Sequence, residues 1–327
     1  MKAIRLAGAV ALTASALALT SCGGNLSWMP GSADFPTGPV TITVGQAPGG
    51  SSDLVARAVA EGMAASLDVA VPVLNKEGAN GALATEQVAA SAPDGYELLM
   101  LNASLITITP LAVSPAEAVS LDDLTVLKGL SQDDYVLVAS PASGFESLDD
   151  LIAAPDLDYG TTGVGTGSQL AQAILFAEAD VAGEAVPFDS GSPALTAVMG
   201  DQMQVATVQL GEAKPQIDAG TVTPLVVFSE ERNAFVPEVP TAAELGYEVP
   251  VAQYRAIAGP ADMPEDVQDR LVDAIDDAIA SDAYRAFNES SLLTPREISG
   301  DEVVAEWTEL AETYRALAEE HDISLTG

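Results

Sequence analysis

The stretch Val40-Thr41-Ile42-Thr43-Val44-Gly45-Gln46-Ala47-Pro48-Gly49-Gly50-Ser51-Ser52-Asp53 decides how this chain reads. Its first five residues form a β-branched run, which favours a strand. Beyond the turn, Leu54, Val55, Ala58, Val59 and Met63 fall on one helical face. The unit is therefore strand, glycine-rich turn, helix, with Ser51, Ser52 or Asp53 as the expected N-cap. A helix N-terminus leaves backbone N–H groups unpaired and carries a partial positive charge. Glycines let a ligand approach that backbone closely. Such a turn suits an anionic or strongly hydrogen-bonding group. A tight turn that needs glycine for steric reasons alone would use the same residues.

The pattern returns twice. Leu157 to Thr161 leads into Thr162-Gly163-Val164-Gly165-Thr166-Gly167-Ser168, with a helix expected over 169–179. Ala185 to Phe188 leads into Asp189-Ser190-Gly191-Ser192, with a helix over 193–199 that has Ser192 as N-cap and Pro193 at its first position. Further strands are expected over 69–75, 98–101, 124–127, 135–139, 204–208 and 225–228. The third of the early strands ends in polar Asn102-Ala103-Ser104. Short helices are expected over 82–90, 147–151 and 215–219, and amphipathic ones over 264–279, 282–288 and 301–320, with a break from Gly259-Pro260 to Met263-Pro264. Strands alternating with helices imply parallel sheets, whose ligands sit beyond the carboxyl ends of the strands. Three similar turns are then placed to converge on one ligand from two lobes.

Charge limits the partners. Twelve Lys and Arg face 48 Asp and Glu, for a net charge of −36. No basic patch can form, which excludes nucleic acid. An anionic ligand meets long-range repulsion, screened beyond about 8 Å at physiological salt and about 3 Å at 1 M. Adaptation to a salty medium and an ordinary acidic surface both fit this balance.

The N-terminus carries an export signal. Lys2 and Arg5 precede an uncharged run from Leu6 to Leu19, too short to span a bilayer and suited to a signal-peptide core. It ends in Leu19-Thr20-Ser21-Cys22-Gly23-Gly24, which matches a bacterial lipobox. Residues 1–21 are the expected lipoprotein signal peptide, Cys22 the lipidated residue, and 22–37 a flexible tether. Cys22 is the only cysteine, so no intramolecular disulfide forms.

Most catalytic chemistry lacks its residues. His321, the single histidine, lies near the C-terminus, which leaves a Ser-His-Asp site improbable. There is no Gly-x-Ser-x-Gly elbow, P-loop, zinc set or calcium loop. Gly163 to Ser168 lacks the third glycine of a dinucleotide loop at its required spacing. No cofactor and no metal are expected.

Taken together, the blocks Pro48-Gly49-Gly50-Ser51-Ser52-Asp53 with Arg57, Gly78-Ala79-Asn80-Gly81, Pro93-Asp94-Gly95-Tyr96-Glu97-Leu98-Leu99, Tyr159 to Thr166, Gly191-Ser192-Pro193-Ala194-Leu195 and Val239 to Gly246 resemble one family. It is the extracytoplasmic solute-binding proteins of tripartite tricarboxylate transporters, the Bug family. The likeness runs from about Pro39 to about Pro264. It implies a type II periplasmic-binding-protein-like α/β fold of two lobes, each a mostly parallel sheet flanked by helices. Lobe 1 would comprise 38–139 and 256–327, and lobe 2 residues 140–255. It implies capture of a small carboxylate or amino acid by a monomer, delivery to membrane permease subunits, and no catalysis. The resemblance carries a carboxylate grip over to Gln46, Pro48, Gly49, Gly50 and Ser51 on one jaw and Thr162, Gly163, Gly165, Thr166 and Ser168 on the other. Asn102, Ser104, Phe188, Asp189, Gly191 and Ser192 would complete the pocket, with Asp53 as a support.

Two departures stand out. Gln169-Leu170 replaces the family's frequent His-Leu, and Phe188-Asp189-Ser190-Gly191 replaces a Tyr-Lys-Gly-like turn. A carboxylate at Asp189 opposes a tricarboxylate unless it points away, binds an ammonium group or caps the next helix. That favours an amino acid or a mono- or dicarboxylate. A ligand-sensing lipoprotein that presents its solute to a signalling receptor is the alternative of a different class.

Overall fold

A computed structural model describes residues 35–154, 157–229 and 231–325. The expected signal peptide, Cys22 and the tether up to residue 34 lie outside the described residues. Among the described residues, ten strands form one continuous mixed sheet: β1 (Thr41–Val44), β2 (Val73–Asn75), β3 (Glu97–Asn102), β4 (Leu124–Ala139), β5 (Leu157–Thr161), β6 (Gly183–Pro187), β7 (Val205–Gln209), β8 (Thr223–Val227), β9 (Ala252–Pro260) and β10 (Thr294–Pro295). The path runs β2-β1-β3-β9-β4-β7-β5-β6, with β8 and β10 also beside β4.

The two ends of this path repeat one design. Strands β2, β1 and β3 are mutually parallel, as are β6, β5 and β7. Antiparallel β9 and β4 join them. Strand β4 changes partner along its length: Leu124 to Asp134 pairs with β9, and Tyr135 to Ala139 with β7 and β8. Residues 124–127 and 135–139, expected as two strands, are the ends of this one strand of 16 residues. Strand β9 was not among the expected strands, and it ends at Pro260, where the expected break begins. Both were hidden by polar residues in a buried strand: Ser131, Asp133, Asp134, Gln253 and Arg255 are all under 10 % exposed.

The helices are α1 (Ser51–Leu67), α2 (Ala82–Ala89), α3 (Ala103–Thr107), α4 (Leu148–Ile152), α5 (Gly167–Glu178), α6 (Gly191–Met199), α7 (Leu210–Asp218), α8 (Glu265–Ile279), α9 (Asp282–Ser291) and α10 (Gly300–Glu320). Helix α1 buries Val55, Val59 and Met63 against Leu271 and Ile275 of α8, as its apolar stripe requires. Helix α5 buries Leu170, Ile174 and Leu175 against Tyr135 and Leu137. Helix α10 touches both halves. Its Val303 and Trp307 pack with Leu99 and Leu101, while Tyr314 packs with Leu137 and donates to the Pro250 carbonyl at 3.1 Å. Among the described residues, no helix is long and apolar enough to cross a membrane.

Candidate functional site

A cleft of about 890 Å³ opens where the carboxyl ends of β1, β3 and β5 face the starts of α1, α6 and α7. That is where ligands of parallel sheets bind. A smaller cavity of about 530 Å³, beside Asp134 and Arg232, contains none of the glycine-rich turns.

The first jaw is the turn before α1. Gly45 packs so closely on Gly81 that a Cβ would overlap its Cα. The N-cap is Gly50, with extended backbone and no side-chain cap. The expected caps Ser51, Ser52 and Asp53 are instead the first three helical residues, which leaves their hydroxyls and carboxylate free for other partners. Asp53 accepts the Gly49 N–H at 2.9 Å and the Asn75 amide at 2.9 Å, and pairs with Arg57 at 2.8 Å. Burial opposes its charge, but the bonds from Arg57, Gly49 and Asn75 outweigh this and hold its carboxyl below the usual range. Asp53 thus fixes the turn without lining the cleft.

The second jaw is held by its own hydroxyls. Ser168 Oγ accepts the Thr162 N–H at 2.8 Å and meets the hydroxyls of Thr162 and Thr166 at 2.8 and 3.0 Å. Thr166 Oγ1 donates to the Gly163 carbonyl at 2.8 Å. Gln169 Oε1 accepts the Gly165 N–H at 2.8 Å, a loop-fixing role for one of the two residues that depart from the family pattern. Gly163, at φ +136°, adopts backbone that L side chains rarely take. The second jaw also touches Asn80 and Thr109, which lie outside the first jaw. The Gly165 carbonyl accepts Thr109 Oγ1 at 3.1 Å and Asn80 Nδ2 at 3.3 Å.

Charge at the base of the cleft comes from the crossing strands. Arg255 on β9 is 1 % exposed and pairs with buried Asp133 of β4 at 2.7 Å. Its Nε donates to Ser52 Oγ at 3.0 Å, and Ser52 Oγ donates to Asn102 Oδ1 at 3.0 Å. Ser51 Oγ donates to Asp133 Oδ2 at 3.0 Å. Glu212, in the first turn of α7, also lines the cleft. Burial first, and then Asp133, push its carboxyl up to about 7, against the opposing pull of Arg255 and the Ser51 N–H.

Of the expected site residues, Gln46, Gly50, Ser51, Asn102, Thr162, Gly163, Thr166, Phe188, Asp189 and Gly191 line this cleft. Pro48 and Gly49 are exposed outside it, and Ser192 is an exposed residue inside α6. The α6 cap is Ser190, not Ser192, because the helix starts two residues early at Gly191. Gly165, Ser168 and Ser104 are buried behind the lining: Gly165 in its contact with Thr109, Ser168 in the loop, and Ser104 under Asn80 and Gln253. Ser52, Asn80, Thr109, Gln209, Glu212 and Gln253 line the cleft without having been expected there. Arg255 and Gln253 carried one usable signal, polar residues beside the apolar run Ala256-Ile257-Ala258.

His321 stands apart from all of this, 3.6 Å from Glu178, and neither residue lines the cleft. Among the described residues, no group of three or more His, Cys, Asp or Glu is placed to hold a metal ion. The cleft is thus lined by neutral donors and buried charge.

Known proteins share this chain's sequence pattern and architecture. It is 30 % identical over 261 residues to a UPF0065 protein of the TAR-I ttuE-ttuC' intergenic region of Agrobacterium vitis, covering 78 % of this chain and 75 % of that one. It is 31 % identical over 225 residues to the protein BugT of Bordetella pertussis, covering 67 % and 69 %. MatC from Rhodopseudomonas palustris, solved with bound malate, superposes with a TM-score of 0.79 at 27 % identity over 86 % of this chain and 99 % of MatC. The family described as "Tripartite tricarboxylate transporter family receptor" matches residues 55–305. That span includes the second jaw, both crossing strands and Glu212, so the chain belongs to this family of solute-binding receptors rather than to any family of enzymes.

Proposed function

We propose that this protein is an extracytoplasmic, lipid-anchored receptor that captures a small carboxylate-bearing solute and delivers it to a tripartite tricarboxylate-type permease. The observation that carries this reading is the convergence of two neutral, glycine-rich jaws on one cleft. The N-terminus of α1, whose N-cap Gly50 carries no side-chain cap, lies on one side with Ser51 and Ser52 in the lining, and Thr162, Gly163 and Thr166 line the cleft as the second turn. Backbone donors and the helix dipole hold a carboxylate without Lys or Arg. This is how a chain with a net charge of −36 would bind an acid. Malate in MatC is a ligand of this chemical class.

The two lobes are proposed as 38–139 with 256–327, and 140–255. The partner change of β4 at Asp134 and Tyr135 supports a bend in the crossing strands. Closure about that bend would bring Gly165 onto Asn80 and Thr109 and signal occupancy to the permease. Lipidation of Cys22 after removal of 1–21 would tether the receptor to the outer face of the cell membrane or the periplasmic face.

A thermal-shift screen of carboxylates and amino acids tests the binding reading. A ligand at 100 times its Kd adds about 2.7 kcal/mol. Absence of stabilisation by any acid at millimolar concentration refutes it. Intact mass of the membrane fraction, wild type against Cys22→Ser, tests the anchor.

A further inference from the structure

Glu212 occupies the place in the cleft where an anion is best received. Its carboxylate faces the Ser51 N–H at the start of α1. Its Oε2 lies against Gly191 at the start of α6, so closely that a Cβ there would overlap it. Yet Oε2 is shut off from solvent and accepts no hydrogen bond. Three other acceptors that line the cleft are also buried and without a hydrogen-bond partner, Oε1 of Gln46, Gln209 and Gln253, together with one donor, Arg255 Nη1, which suits the ligand's carboxylate. Gln209 and Glu212 are the N-cap and third residue of α7, positions whose side chains lie side by side.

The charge of the lining points the same way. Glu77, Glu86, Glu117, Asp189 and Glu212 face one base, Arg255, which Asp133 already neutralises. A ligand whose only polar groups are carboxylates brings further acceptors and further negative charge. It satisfies none of these oxygens, and buried acceptors left unpaired cost free energy. An ammonium group brings three donors and the opposite charge, and its bonds to a carboxylate are charge-assisted.

We infer that the solute carries an N–H-bearing cation as well as its carboxylate, and that Glu212 Oε2, beside Gln209 Oε1, receives that cation. The ligand is then a zwitterion of the amino-acid type, and Glu212 is the specificity-determining residue that rejects plain di- and tricarboxylates. The inference rests on the carboxylate-binding reading above and narrows it. The groups that face Glu212 are Asp133 and Tyr135 of β4, Arg255 of β9 and the Ser51 N–H of α1. A cation seated at Glu212 favours its ionised form, so affinity rises with pH through about 7 and binding near that pH releases a proton.

Calorimetry on the purified full-length protein tests this with acids paired to their amino derivatives: succinate and aspartate, glutarate and glutamate, propionate and alanine. At pH 8 the amino member of a pair is expected to bind at least tenfold tighter than its partner. The gap narrows at pH 6, and Glu212→Gln removes most of it. Gly191→Ala, which pushes the carboxylate aside, has the same effect without changing charge. Equal or tighter binding of the acids lacking nitrogen, with proton uptake, overturns the inference and leaves the carboxylate reading standing. Binding of neither series overturns both.

Discussion

Glu212→Gln removes one charge and keeps the side chain's shape, so its effect on stability reports the electrostatics of the empty cleft. Burial and Asp133 push the Glu212 carboxyl up to about 7, whereas an unfolded glutamate titrates near 4.3. At 1.36 kcal/mol for each tenfold in proton affinity, keeping Glu212 ionised in the folded protein at pH 8 costs roughly 3 kcal/mol. The partial contact of Glu212 with solvent makes this an upper figure. The sign follows from linkage. Below about pH 4 the group is protonated in both states and the penalty vanishes. Between about 4.3 and 7 the unfolded chain ionises while the folded one keeps its proton, so the penalty grows. Above about 7 it is complete. Glutamine escapes all of this. The variant is therefore expected to melt up to about 6 °C above wild type at pH 8, and within a degree of it at pH 4. Scanning calorimetry without ligand measures both. A variant that melts below wild type at pH 8 would show that Glu212 is held by favourable pairing, and would refute the electrostatic reasoning.

Three further perturbations probe the rest of the site. Arg255→Met leaves buried Asp133 uncompensated and is expected to cost about 3–5 kcal/mol; adding Asp133→Leu should restore most of it in urea unfolding, and a double variant as unstable as the sum of the singles would show that the pair does not couple. Gly163→Val forces a β-branched residue to φ +136°, which strains the second jaw by about 1–3 kcal/mol; ligand binding should vanish in calorimetry while circular dichroism keeps the native fold, and undiminished affinity would contradict the jaw's role. Asn80→Ala with Thr109→Val removes both donors to the Gly165 carbonyl; at about 1 kcal/mol each, affinity should fall about tenfold to thirtyfold and small-angle scattering should show a wider molecule, whereas unchanged scattering and affinity would mean that this contact does not hold the lobes closed.

The parts of this fold that were legible in the sequence are those whose signals are local. Thr41 to Val44 forms a strand and Leu54 to Met63 a helix because β-branched runs and 3.6-residue periodicity act within a few residues. Ser147 caps α4 and Ser299 caps α10 through bonds to their own helices. Ser51, Ser52 and Ser192 fail as caps because glycine or an earlier serine takes that place. Once the helix starts sooner, the hydroxyls of Ser51 and Ser52 turn to Asp133 and Asn102. The crossing strands were illegible for a physical reason. A strand that floors a binding cleft carries polar residues where a core strand carries apolar ones. Asp133 and Arg255 pair across β4 and β9, so neither reads as buried from its own neighbourhood. Glu212 sits far along the chain from Ser51 and Gly191, and only tertiary structure brings the three together.

The cleft holds two kinds of group that would do different work. On the proposed reading the two jaws hold a carboxylate through backbone N–H groups and hydroxyls, donors that recognise one whatever else the ligand carries. Such donors make no choice among acids. Choice has to come from groups that some acids satisfy and others leave unpaired. In this cleft those groups are mostly acceptors: one oxygen of the Glu212 carboxylate and the side-chain oxygens of three glutamines, buried and without hydrogen-bond partners, beside a single such donor, Arg255 Nη1. Holding Glu212 in that place costs stability in the empty protein at neutral pH. A cation arriving there would relieve the cost, so part of the strain stored in the free receptor becomes affinity for a zwitterion and is withheld from a plain dicarboxylate. The same reasoning assigns exposed Asp189 a weaker role, since a rim carboxylate open to solvent is screened and selects mainly by repulsion at low salt.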